Sequence, residues 1–308
     1  MRVLHLADTH LGAHLHAWGA PPGWHRSQDH LCAFEQALAP ALRGEVDLVV
    51  HGGDLFDHRQ PGKALIARVE ALLAAVAARV PVVLVPGNHD PPSLLRAFRI
   101  PPPGLHVVDL PTRLVFGELA LGIVPFRRRL EGFLDALPEA VGPGVDALVL
   151  HQAVDGCRVP GFVFRVEHPA GTVGAAHLPR GVRHLFGGHL HPRQAVRLGE
   201  AEMVYPGATV RTAAREGPEP KGYALWGWGR RVTWRFVDLP ERGFSVVRDA
   251  ADLLALRSEQ LVVIQEGADY RDLFFAALAR GAWVVGRHPD QERRARRGEA
   301  GQLRLFPR

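Results

Sequence analysis

Two cysteines in 308 residues, Cys32 and Cys157, are too few for a disulfide framework or for a cysteine-based zinc site. Lysine is nearly absent too. Only Lys63 and Lys221 occur, so 35 of the 37 basic residues are arginine. No apolar run approaches the ~20 residues that a membrane helix needs, and the first strand-like run begins at Arg2, which leaves no room for a signal peptide. These absences set aside a disulfide-stapled secreted protein, thiolate metal chemistry and a membrane partner. The expectation is a cytoplasmic protein. With 47% hydrophobic and 22% charged residues, the chain has the make-up of an ordinary globule, long enough for one large α/β domain and a small second one. The pI of 9.8 is a weak pointer to a polyanionic partner. Arginine accompanies an excess of Ala, Gly and Pro, and residues 288–308 alone carry six arginines against Asp290, Glu292 and Glu299.

What the sequence does hold is a repeated ending. Val82 to Val85 is a short apolar run of the kind buried on both faces of a parallel sheet, and it stops at Pro86-Gly87-Asn88-His89-Asp90. Four other apolar runs stop in the same way. Arg2 to Ala7 ends in Asp8-Thr9-His10, and Val46 to Val50 ends in His51-Gly52-Gly53-Asp54. Ala147 to Leu150 ends in His151, and Val182 to Phe186 ends in Gly187-Gly188-His189-Leu190-His191. In open α/β sheets ligands bind outside the carboxyl ends of the strands. One histidine there would be an ordinary structural residue, but five such endings in one chain point to a metal site.

Along the chain, strands alternate with helices, one capped by Ser27 with Leu31, Phe34, Leu38 and Leu42 along one face and one at Gly62 to Arg79, which predicts a parallel sheet with right-handed crossovers. Residues 105–124 turn to short strands and tight turns, so antiparallel structure enters there. Residues 152–180 form a long loop with a candidate edge hairpin. The loop from Leu11 to His25, rich in His and Trp, either stacks on bases or packs the loop down. Three parts are expected: residues 1–238 as the main domain, 239–288 as a small α/β cap, and 289–308 as a basic, disordered tail. The fold class is α/β, with two mixed sheets stacked between helical layers.

Asp, Asn and His donors without thiolate suit Mn²⁺, Fe²⁺ or Zn²⁺ held for chemistry. Asp8, His10, Asp54, Asn88, His151, His189 and His191 are too many for one tetrahedral ion and fit two sharing a carboxylate. Two cations ~3.5–4 Å apart clamp the attacking and leaving oxygens of an in-line displacement, so phosphoester hydrolysis fits best. His89 is surplus to that count and is the candidate proton donor, with Asp90 to orient it. Arg127, Arg128, Arg129 and Arg211 are the candidates to meet substrate phosphate.

The ordered blocks Asp8-Thr9-His10, Gly53-Asp54, Gly87-Asn88-His89-Asp90, His151 and Gly188-His189-Leu190-His191 resemble those of the calcineurin-like metallophosphoesterases. Leu11-Gly12, Leu55-Phe56-Asp57, Pro125-Phe126, Tyr205-Pro206-Gly207 and Lys221-Gly222-Tyr223 further resemble the SbcD/Mre type of DNA repair nuclease. The resemblance covers Met1 to Asp238, with a weaker echo in the cap. It implies a four-layer αββα sandwich and two divalent ions, Mn²⁺ foremost. One ion would take Asp8, His10, Asp54 and His191, and the other Asp54, Asn88, His151 and His189, with His89 catalytic. It also implies exo- or endonuclease action on DNA and brings a homodimer and an SbcC-like ATPase into view as partners. The stretch after Asp238 is short, however, and shows no amphipathic helix pair for that ATPase. A phosphodiesterase or phosphatase acting on nucleotides or another small phosphoester is the alternative, since one site chemistry serves many substrates.

Overall fold

A computed structural model describes residues 1–90, 102–159, 172–212, 216, 219–265, 269–286 and 289. The first half of the chain runs β1 (Arg2–Leu6), β2 (Ala17–Trp18), α1 (Arg26–Leu42), β3 (Leu48–His51), α2 (Lys63–Ala77), β4 (Val82–Leu84), β5 (Leu105–Val107), β6 (Thr112–Phe116), β7 (Leu119–Val124), α3 (Leu130–Val141) and β8 (Ala147–His151). The second half runs β9 (His184–Gly188), β10 (Gln194–Leu198), β11 (Ala201–Tyr205), β12 (Gly222–Gly227), β13 (Thr233–Asp238), β14 (Phe244–Val247), β15 (Leu261–Ile264), α4 (Tyr270–Ala279) and β16 (Trp283–Val285). Except for residue 289, the expected tail lies outside the described residues, and so does the middle of the expected edge hairpin.

The chain forms two compact units. The first comprises Met1–Ala13 and Ser27–Glu241. It contains two six-stranded mixed sheets, ordered β13-β12-β1-β3-β4-β5 and β10-β11-β9-β8-β7-β6. Strands β1, β3, β4 and β5 are parallel, as are β7, β8, β9 and β11, while the hairpin-linked edges run antiparallel. Alternate residues of each central strand serve different cores, which is why these strands read as unbroken apolar runs. Val3, Leu48, Val50 and Val83 of the first sheet meet Leu121, Ile123, Val149 and Phe186 of the second between the sheets. Leu4, Leu6, Val49 and Val82 face outward onto Phe34 and Leu38 of α1 and Val69, Leu73 and Val76 of α2. On the far side, Leu148, Leu150 and Leu185 pack against Phe133, Ala136 and Leu137 of α3. The result is the αββα sandwich of two mixed sheets.

The second unit is a small α/β body made of residues 14–26 and the described residues from Arg242 onward. Its sheet is ordered β14-β15-β16-β2, and α4 packs on it through Leu273, Phe274 and Ala277. Strands β14, β15 and β16 with α4 follow Asp238 in it, and it also takes in a segment from near the start of the chain. Residues 14–26 join the second unit because β2 pairs antiparallel with β16 (Trp18 with Val284) and Trp18 Nε1 donates to Gly286 O at 3.0 Å.

Candidate metal centre

Parallel pairing brings the strand endings level. Leu6 pairs with His51, His51 with Leu84, and His151 with Gly188, so β1, β3 and β4 end together, as do β8 and β9. The chain then turns sharply. Five non-glycine residues among those described have positive φ, and four are Asp8 (52°), His10 (44°), Asp54 (55°) and His189 (95°). Backbone held in this sparsely populated region persists only where the surroundings enforce it, and it clusters at functional sites. Two glycines make room. A Cβ on Gly53, itself at φ 111°, would collide with the His151 ring, and one on Gly87 would collide with the Asp54 carboxylate.

The seven expected ligands converge. The ligand atoms of Asp8, His10 and His191 lie within 4.8 Å of one another, as do those of Asp8, Asp54 and His151, and those of His10, Asp54 and His89. Asp54 thus faces both histidine sets: its Oδ2 is 3.4 Å from His151 Nε2 and 3.8 Å from His10 Nε2. Asn88 Oδ1 is 2.8 Å from His189 Nδ1 and 3.2 Å from His151 Nε2. The His189 main-chain N–H donates to Asp8 Oδ1 at 2.9 Å, which ties the two sheets together at the site.

The outward nitrogens of the histidines fix their tautomers, because a carbonyl only accepts. His151 Nδ1 donates to Gly52 O at 2.7 Å, and His89 Nδ1 to Asp57 O at 2.9 Å. His191 Nδ1 faces Glu216 Oε1 at 3.0 Å, and His10 Nδ1 faces Asp57 Oδ1 at 3.2 Å. The inner Nε2 atoms face the site: those of His10 and His191 lie 3.0 Å apart, and His151 Nε2 lies 3.2 Å from the Asn88 oxygen. Contacts this close between such groups need a proton or a metal cation between them, and converging imidazole nitrogens with carboxylate and amide oxygens are a donor set that fits divalent metal. Outer-shell acceptors of this kind also orient ligating histidines and raise their basicity.

Electrostatics agrees. Burial opposes the Asp54 anion, yet the charge and hydrogen bond of His151, with His10, hold its carboxyl well below the usual carboxylate range. Burial likewise opposes the His151 cation, and Asp54 still lifts it to about 9. Asp8 is pushed up by burial against the pull of His151 and His191. His189 is driven down to about 3 by burial and by His151. In the metal-free chain the His151 proton offsets the Asp54 charge, and a divalent cation would take that place.

Other expected site residues fall differently. Asp90 does not orient the His89 ring. Its carboxylate accepts the main-chain N–H groups of Leu55 (2.7 Å) and Phe56 (2.8 Å), and it clamps the turn that carries Asp54. Burial and the Asp54 charge raise it to about 6. Arg211 is no phosphate ligand either: it is buried, with Nη1 3.0 Å from Glu241 Oε2 and Nη2 donating to Glu219 O at 2.8 Å. Arg128 and Arg129 are exposed. Arg127 is half-buried beside Phe126, whose ring centroid lies 5.8 Å from that of His189 and 6.0 Å from that of His151. Sequence reasoning missed Asp57, Thr212, Glu216 and Lys221 as supports of the ligands. It also missed Thr9, whose carbonyl accepts from His30 Nδ1 at 2.9 Å and whose hydroxyl donates to Leu55 O at 3.0 Å. Asp57 and Lys221 stand within the sequence blocks Leu55-Phe56-Asp57 and Lys221-Gly222-Tyr223 that carry the family resemblance, which is a usable signal, whereas nothing marks Glu216.

Two stacked mixed sheets whose strand ends converge on an Asp/Asn/His donor set define a metal-dependent phosphoesterase. Residues 1–193 match the calcineurin-like phosphoesterase family, and the chain belongs to it. This is a family of hydrolases that act on phosphoester bonds with divalent metals. Its relatives include DNA double-strand break repair proteins Mre11. The one from Methanosarcina acetivorans is 30% identical over 269 residues, covering 82% of this chain and 41% of the relative. That from Methanosarcina mazei is 28% identical over 267 residues (82% and 40%), and that from Saccharolobus solfataricus is 25% identical over 250 residues (78% and 62%). The chain thus spans between 40% and 62% of the length of these relatives. Among the described residues no helix is long and apolar enough to cross a membrane.

Proposed function

We propose that the chain is a two-metal phosphodiester hydrolase acting on DNA, an exo- or endonuclease of the SbcD type that prefers Mn²⁺. The observation that carries this reading is the placement of Asp54 between two histidine sets, His10 and His191 on one side and His151 and His189 on the other. One ion would be held by Asp8, His10, Asp54 and His191, and the second by Asp54, Asn88, His151 and His189. Bound there, two divalent ions supply positive charge for the phosphoryl oxygens and acidify a water. The choice of DNA is supported by the names of the Mre11 relatives and by the arginines Arg127, Arg128 and Arg129 that follow Phe126. A cytoplasmic setting agrees with two free cysteines.

The protein's own contribution is geometric. The carboxylate of Asp54 accepts the His89 main-chain N–H at 2.8 Å, and Asp57 O fixes the proton of that ring on Nδ1. His89 Nε2 is therefore the ring atom left to take up a second proton, and as an imidazolium the ring would hand that proton to a leaving oxygen; it stands edge-on to His10 with centroids 4.9 Å apart. The Phe126 ring lies against the His151 and His189 rings.

A parallel assay with Mn²⁺ on single-stranded DNA, double-stranded DNA and cyclic nucleotides tests the reading. Cleavage of DNA is the expected result. Turnover of cyclic nucleotides with DNA left intact would transfer the site to small phosphoesters and overturn the nuclease.

A further inference from the structure

We infer that the buried pair Glu216 and Lys221 is a positioning device for His191, fixing the ring so that Nε2 faces His10. The inference rests on reading this site as a metal centre. Both side chains are 1% exposed, and Lys221 Nζ lies 2.5 Å from Glu216 Oε2. Removing two charges from water costs about as much as their attraction returns, so a buried pair of this kind is not explained by stability. Its contacts explain it better. Glu216 Oε1 faces His191 Nδ1 at 3.0 Å and accepts the Thr212 main-chain N–H at 3.1 Å. The Thr212 hydroxyl is 2.9 Å from the same ring nitrogen and donates to the same carboxylate oxygen. Lys221 also donates to His191 O at 3.1 Å. One cation thus grips the main chain of His191 while its carboxylate partner grips the ring.

The device also spans the sandwich. Lys221 immediately precedes β12, which pairs with β1 in the first sheet, and β1 leads into Asp8 and His10. His191 follows β9 of the second sheet. The strut formed by Lys221 and Glu216 therefore sets a ligand from one sheet against ligands from the other, with the two Nε2 atoms 3.0 Å apart. Arginine is the chain's habitual cation, with only two lysines present. Lysine suits this position because its compact ammonium serves a carbonyl and a carboxylate at once from a buried stem.

Mn²⁺ titration of the EDTA-stripped full chain, followed by electron paramagnetic resonance, tests the device in wild type, Glu216→Gln and Thr212→Val. Wild type is expected to take up two ions. Glu216→Gln should still bind two, one of them about 10–100-fold more weakly, the range for losing an outer-shell partner. Thr212→Val should weaken the same ion by a smaller factor. In nitrogen-15 spectra of the stripped protein, the Nδ1–H signature of His191 should persist in wild type and fade in Glu216→Gln. Wild-type affinities at both ions, together with a lowered melting temperature, would show Glu216 to be structural only and overturn the inference. If Glu216→Gln does not fold, unchanged Mn²⁺ affinity in Thr212→Val overturns it instead. A wild type that binds two Mn²⁺ ions but cleaves no phosphodiester defeats the proposed function alone, because the positioning role is read on affinity. A wild type that binds no Mn²⁺ defeats both.

Discussion

The main-chain N–H of His89 donates to Oδ1 of Asp54 at 2.8 Å, while Oδ2 of that carboxylate lies 3.4 Å from His151 Nε2. One carboxylate therefore joins the candidate proton donor to the metal ligands, and displacing either residue disturbs the other.

Asp54 should be the least replaceable residue of the site. Asp54→Ala is expected to abolish metal-dependent hydrolysis and to lower the metal content from two ions per chain, measured by plasma emission spectrometry. Near-normal turnover with two ions bound would refute the bridging role.

Replacing His89 should separate cleavage from metal binding. His89→Asn is expected to retain both ions and lose on the order of 10²–10⁴-fold in turnover, the range for a positioned proton donor. On a p-nitrophenyl phosphodiester, whose leaving group hardly needs a proton, the defect should shrink. His89 also lies within ligand reach of His10 and Asp54, so loss of an ion in this variant would make it a ligand instead.

Gly87 tests how tightly the turn is built. Its φ is not in the left-handed region, so Gly87→Ala leaves the backbone permitted, but the new methyl group would overlap the Asp54 carboxylate. A displacement of about 1 Å at a catalytic group costs on the order of 10²-fold in rate. A loss of that size in kcat with an unchanged circular dichroism spectrum is expected, and unchanged kcat would mean the turn gives way freely.

The charge pattern sets a pH dependence for the EDTA-stripped chain. His151 is raised from 6.5 to about 9, so its contribution is complete below pH 6.5 and is lost as pH rises through 9. Asp54 is depressed below 3.8, so its contribution is complete above pH 3.8 and is lost as pH falls below that. Asp90, raised to about 6, adds a further loss as pH rises through 6. Thermal melts in EDTA should therefore fall from pH 6.5 to 9, and a rising curve would contradict the pairing. Metal must also displace the His151 proton, so Mn²⁺ affinity should climb about tenfold per pH unit below 9, with proton release visible by calorimetry in buffers of different ionisation heat.

The candidate donors could be read from the sequence because each lies at the end of a buried strand or within four residues of it. A strand buried on both faces leaves an unbroken apolar run, as in Val82 to Val85, and the polar residue that ends it must emerge at the sheet edge. The sandwich was legible for the same reason, since the chain alternates such runs with helices like Lys63–Ala77. Tertiary structure decided what each polar side chain meets. Asp90 stands beside His89 in sequence but bonds the turn after Asp54, and Arg211 looked free for phosphate but is neutralised by Glu241. Ala17–Trp18 left the large unit because its hydrogen bonds go to Trp283–Val285, some 265 residues away. Glu216 gave no local sign of serving His191, because a buried charge declares its partner only when remote segments pack around it. Strand-to-donor adjacency is a short-range property that the order of residues encodes directly, whereas partner choice among buried polar groups is fixed by desolvation, which exists only in the folded chain.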